Sequence, residues 1–115
     1  MKVSVPDKKV SKIIDDNKEL IRTIGDKLAR MVKRRRNELE ASNNFKEYLD
    51  MGIGDPHPLQ GNLDNYYGIR LDKDKRLIVE PVSVKLDDES LRKCEEVNLK
   101  GVVHYHDGKC ENLIP

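Results

Sequence analysis

Tryptophan is missing from this 115-residue chain, phenylalanine occurs once and tyrosine four times. A core built on large aromatic rings is therefore excluded, and the burial must come from Leu, Ile and Val on amphipathic elements. Cysteine is almost as scarce. Cys94 and Cys110 lack CxxC spacing and have charged neighbours, which signals neither a zinc site nor a disulfide framework and reads as two reduced thiols. Apolar residues nowhere run long enough to span a bilayer, and the start of the chain has no apolar signal segment; the expectation is a soluble, cytoplasmic protein with no membrane partner. The length suits one domain, residues 1–115, and is too short for two.

Charge of one sign is also missing overall, with 22 Lys and Arg against 21 Asp and Glu. That balance hides a split, because residues 1–48 carry 13 basic and 8 acidic side chains and residues 49–115 carry 9 and 13. A basic half is an electrostatic footprint for a polyanion, though an acidic partner protein or solvent would meet it equally well.

Lys2 to Val5 alternates as a half-buried strand does, and Pro6-Asp7 breaks it in the manner of a helix start. From Val10 to Leu39 apolar residues recur at three and four positions, the period of an amphipathic helix. Asp15-Asp16-Asn17 offers N-cap oxygens inside that pattern, so the spacing predicts a short first helix and a longer second one from about Lys18 to Ala41, paired as a helical hairpin. Phe45, Tyr48 and Leu49 mark one more helical turn before the Gly- and Pro-rich stretch 52–58. Tyr67 to Leu71 and Arg76 to Glu80 then read as a β-hairpin about a charged turn. Asp87 to Glu96 is a surface loop or short helix, Asn98 to His106 a third strand ending at Asp107-Gly108, and Cys110 to Leu113 a final one. The expected class is α+β, an N-terminal helical hairpin packed on a small antiparallel sheet.

All three histidines fall in two clusters, His57-Pro-Leu-Gln-Gly61 and Val103-His-Tyr-His106. His104 and His106 are two apart on a strand and point to one face, with Tyr105 on the other unless a bulge or the strand end reorients it. Three readings stay open for these imidazoles: polar surface groups, metal ligands, for which His-x-His is a common spacing, or proton-transfer groups.

In order and content, His-Pro-Leu-Gln-Gly, Ile-Arg-Leu, Lys-Arg-Leu-Ile-Val-Glu-Pro and Val-Val-His-Tyr-His resemble the RelE/ParE toxin superfamily, in particular its HigB-like branch of killer proteins, across nearly the whole chain. The resemblance implies a RelE-like fold and a type II toxin that cleaves mRNA, often on the ribosome, with neither metal nor organic cofactor. The RNA 2′-hydroxyl attacks the adjacent phosphate while the protein supplies base, acid and cation. Matched position by position, it implies catalytic roles for His57, Arg76, Tyr105 and His106. Arg70 and the run Lys33, Arg34, Arg35 and Arg36 are candidate RNA-binding residues, the run being equally a solvated helix end. The chain departs from the family text at Gln60, where Lys is common, and at His104, where Asp is. The implied partner is a helix-turn-helix antitoxin of HigA type. A non-catalytic module on the same scaffold, either a ParE-like inhibitor or an antitoxin-binding homologue, needs no convergent His, Tyr and Arg; a His-rich metal-binding domain would use His104 and His106 with His57 as a third donor.

Overall fold

The computed structural model describes residues 1–106 and 108–115, with Asn62 described by its backbone alone. Five helices and a six-stranded sheet follow one another as β1 Lys2–Ser4, α1 Lys8–Ile14, α2 Asn17–Ile24, α3 Asp26–Ala41, α4 Phe45–Met51, β2 His57–Pro58, β3 Tyr67–Arg70, β4 Lys75–Pro81, α5 Asp88–Arg92, β5 Glu96–His106 and β6 Lys109–Ile114, with a 3₁₀ turn at Gly61–Leu63. The α+β class is that expected.

The helix starts have local causes. The carboxylates of Asp7 and Asp16 accept from the free amides of the first turns of α1 and α2, and Asn44 and Asp87 do the same for α4 and α5, filling donors that have no partner inside a helix. One prediction needs correction. The helix expected from Lys18 to Ala41 is broken into α2 and α3 at Gly25, whose φ of 87° and ψ of 161° lie where only glycine sits without strain. The helical layer is thus three short rods, α1 to α3, rather than a hairpin of two.

The strand order is β1-β5-β4-β3-β2, and β6 pairs with β5 as well. β5 is the centre. Its one edge meets β4, while the other is shared end to end by β1, against 96–98, and β6, against 102–106. All pairs are antiparallel except β1 with β5, so the N-terminal strand makes mixed a sheet expected to be antiparallel throughout. The expected turn at Asp107-Gly108 falls partly outside the described residues.

Ile69, Leu77, Val79, Val97, Leu99 and Val102 turn one sheet face toward Val10, Leu20, Ala29, Val32, Leu39, Phe45 and Tyr48 from the helices, and all are buried in one cluster. Of the helical stripe expected to cover the sheet, Val32 is fully buried; Ile13, Ile24, Leu28 and Met31 are half-buried against the cluster. Two register shifts keep β5 facing the right way. Ile78 pairs with Gly101 and Val79 with Leu99, which leaves Lys100 as the extra residue; Val102 pairs with Ile114 and Val103 with Asn112, which leaves Leu113 so. Each bulge resets the period of two, and Leu99 and Val102 both reach the core. A Cβ at Gly101 would lie 2.4 Å from the carbonyl oxygen of Ile114, so only glycine allows the two strands to close there. The helices cover one face of the sheet, and the other is where the candidate site lies.

A candidate active site on the open sheet face

Directly opposed residues of a strand pair share a face, and successive residues alternate. Arg76 opposes both Arg70 on β3 and Val103 on β5, and His57 opposes Gly68, which opposes Ile78. His57, Arg70, Arg76 and, two past Val103, Tyr105 therefore project from the helix-free face. His57, Arg76 and Tyr105 line one cleft of about 450 Å³ together with Lys73 and Asp74 of the β3–β4 turn. Gly68 leaves room between His57 and Arg76: a Cβ there would stand 4.0 Å from His57 Nε2, 3.9 Å from Arg76 Cβ and 3.4 Å from a Leu59 methyl.

Each side chain is held by its surroundings. His57 follows a loop tied down at three points: Tyr48 Oη donates to the Ile53 carbonyl at 2.8 Å, the Arg70 amide donates to the Gly54 carbonyl at 2.7 Å, and the Asp55 carbonyl lies 3.1 Å from His57 Nδ1. A carbonyl only accepts, so this last contact puts a proton on Nδ1, and in the neutral ring the lone pair is then on Nε2. That is the tautomer of a general base. Arg76 is half-buried, and its Nη1 donates to the carbonyls of Asp72 and Lys75, both at 3.0 Å, and approaches that of Lys73 at 3.5 Å. Among the described residues those bonds all use Nη1, so Nε and Nη2 can offer a fork to an anion. Asp72 shapes the turn beneath it by accepting the amides of Asp74 and Lys75. Burial pushes the Tyr105 phenol up, Cys110 beside it adds to the rise, and the Arg76 guanidinium pulls it back. Tyr105 keeps its proton at neutral pH.

His106 is not in this cleft. β5 pairs regularly through His106, so His104 and His106 turn to the helix side. There their rings stack at 4.8 Å, His104 Nε2 lies 2.9 Å from Asp74 Oδ2, and His106 Nε2 lies 2.8 Å from Glu111 Oε1. The parity of the strand parts Tyr105 from the imidazole that follows it. The basic run of α3 is likewise mostly engaged. Lys33 bonds Asn17, Arg36 pairs with Asp15 at 2.7 Å, and Arg35, 12% exposed, bonds Glu38 and the Arg70 carbonyl. These three fasten α3 to α1, α2 and β3, whereas Arg34 is 70% exposed and reaches Glu38 only at 3.6 Å. Lys73 and Asp74 were not singled out from the sequence; their signal is the charged turn between two strands, which places its side chains beside whatever the strands carry.

The fold and its one-sided layer of helices define a known structural class, the YoeB/RelE-like toxin fold. The YoeB–YefM complex from Staphylococcus aureus matches with a TM-score of 0.53 at 18% identity, over 92% of this chain and 97% of that one. The YoeB/ParE toxin from Agrobacterium tumefaciens matches with the same TM-score at 14% identity, over 92% of this chain and all of the other. No protein-family model and no curated protein matches the sequence.

Proposed function

We propose that this chain is the toxin of a type II toxin–antitoxin pair, an endoribonuclease of the RelE/ParE superfamily that is HigB-like by its motifs. The observation that carries the reading is the convergence of His57, Arg76 and Tyr105 on one cleft, a set that a merely protein-binding module does not need. The cleft's side chains fit an in-line transesterification. His57 Nε2 takes the proton of an RNA 2′-hydroxyl, the O2′–P bond forms, and Arg76, with Arg70 across the strand pair and Lys73 at the rim, balances charge growing on the phosphate oxygens. The P–O5′ bond then breaks, and Tyr105 protonates the leaving 5′-oxygen. The products are a 2′,3′-cyclic phosphate and a free 5′-hydroxyl.

Similarity of fold to a toxin crystallised with its antitoxin supports a partner protein here as well; by the motifs it is a helix-turn-helix antitoxin of HigA type, and the place of action is cytoplasmic mRNA on the ribosome. No helix among the described residues is long and apolar enough to cross a membrane.

Primer extension on mRNA incubated with the purified chain, with and without ribosomes, tests the reading. Cleavage should appear with the parent and fall about 10²- to 10⁴-fold for His57→Ala, the cost of losing one acid–base group. A parent that cuts RNA under neither condition would overturn the enzyme reading in favour of a binding module.

A further inference from the structure

The helix-side end of the β5–β6 hairpin carries a second cluster that the cleavage chemistry does not use. His104 opposes Glu111 across the strand pair, and His106 follows two residues on. One donor atom from each of the three lies within 4.8 Å of the others, and Asp74 reaches the same rim through His104 Nε2 at 2.9 Å. We propose that His104, His106 and Glu111 form a binding site for a divalent transition metal of the zinc type, with Asp74 as the residue that orients His104.

The donor chemistry favours such an ion. Imidazole nitrogen with carboxylate oxygen suits zinc, and a hard cation such as magnesium would want oxygen alone. Zinc holds these ligands at about 2.0–2.2 Å in a tetrahedron, so the donors must draw together from their present spacing. The side chains of His106 and Glu111 are 40% and 58% exposed, so an ion can reach them from solvent. Charge agrees as well. The carboxylates of Glu111 and Asp74 put negative charge at this rim, part of it already balanced by Lys75 Nζ at 3.0 Å from Asp74 Oδ1, and a dication beside Glu111 meets the remainder. Asp74 completes an arrangement common at metal centres, in which a carboxylate accepts one ring N–H of a ligating histidine and fixes which nitrogen carries the lone pair. The ion would tie β5 to β6 at their shared end, outside the cleft that Tyr105 faces.

Calorimetric titration of the tag-free, chelator-treated chain with zinc chloride tests this without reference to RNA cleavage, so its outcome is separate from that of the proposed function. One zinc per chain should bind, with a heat that changes with the buffer because ligand protons are released, and the thermal midpoint should rise with zinc concentration. His104→Ala, His106→Ala and Glu111→Gln should each weaken binding at least about tenfold, since even loss of an outer partner at such sites costs about 10- to 100-fold. Cys110→Ser should leave it unchanged, its side chain belonging to the Tyr105 face. Circular dichroism of the metal-free variants checks their fold, and Glu111→Gln, nearly the same shape as the parent, serves if a histidine variant fails to fold. A parent that binds no zinc at one equivalent, variants that bind as the parent does, or a loss on Cys110→Ser would overturn the proposal.

Discussion

Arg76→Ala separates chemistry from folding most cleanly. The guanidinium supports the β3–β4 turn through its bonds to the carbonyls of Asp72 and Lys75. An ordinary hydrogen bond contributes about 0.5–1.5 kcal/mol net, and because this turn is partly exposed, water replaces the lost donor and the cost falls at the low end, about 1 kcal/mol in all. Domains of this kind have about 5–15 kcal/mol of stability, so the variant stays folded in essentially every molecule. Cleavage should suffer far more. Removing a preorganised group that stabilises transition-state charge costs about 10²- to 10³-fold, roughly 2.7–4 kcal/mol, and Arg76→Lys should recover part of it, since an ammonium restores the charge but not the planar fork. Single-turnover cleavage by primer extension beside a urea unfolding curve gives both quantities. An Arg76→Ala protein that cuts within about threefold of the parent rate while folding normally would refute the assignment, because no charge-stabilising role of the size given is compatible with it.

The remaining expectations concern the other residues named above. His106→Ala should lose much less cleavage than His57→Ala in the same assay, since its ring turns to the opposite face of β5; an equal loss would show that the strand end rearranges around RNA. Leu39→Ala, at a fully buried position, should lower unfolding free energy by about 2–5 kcal/mol in urea titration, and a loss under 1 kcal/mol would contradict the packing described. Stability should fall on acidification: Asp15 is held below the usual carboxylate range by its hydrogen bond from Arg36, as Glu111 is by His106. A folded-state value below the unfolded one gives stability that is complete above about pH 5 and disappears as pH drops through the folded-state value. Urea midpoints measured from pH 6 to pH 2 should trace this, and Asp15→Asn should flatten part of the slope; identical slopes would remove Asp15 from the explanation.

Much of this architecture is legible in the residues themselves. The strands of 67–70 and 75–81 stand out as short apolar runs bounded by turns, burial alternates with period two along the first half of β5, and α1 starts where Asp7 can cap it. Gly25 shows where such reading stops. A glycine within a helical period is either tolerated or a break, and the pattern of Ile21, Ile24 and Leu28 continues across it either way; only the packing of α2 and α3 as separate rods decides. The parallel pairing of β1 with β5 is equally silent, because a three-residue strand carries no record of a partner over ninety residues away. His57, Arg76 and Tyr105, which line the cleft, stand in recognisable motifs, whereas Glu111, on the other face, stands in none. Its meaning arises from the register of β6, set by the bulge at Leu113, and one residue of slip would carry it to the other face.

That register also bears on why two arginines stand opposite each other. Arg70 and Arg76 are cross-strand partners on the open face, and like charges directly opposite each other destabilise a sheet. Neither could move to the helix side without burying a charge among Ile69 and Leu77. Arg76 spends one nitrogen on the turn carbonyls, which spreads its charge toward a half-buried polar lining, and Arg70 stays exposed. The repulsion between them persists in the free protein and is relieved when an anion lies between or beside the two guanidinium groups. On the proposed function, a phosphate arriving there would gain the attraction of both cations and remove that penalty, so the pair would favour the bound state more strongly than either arginine alone.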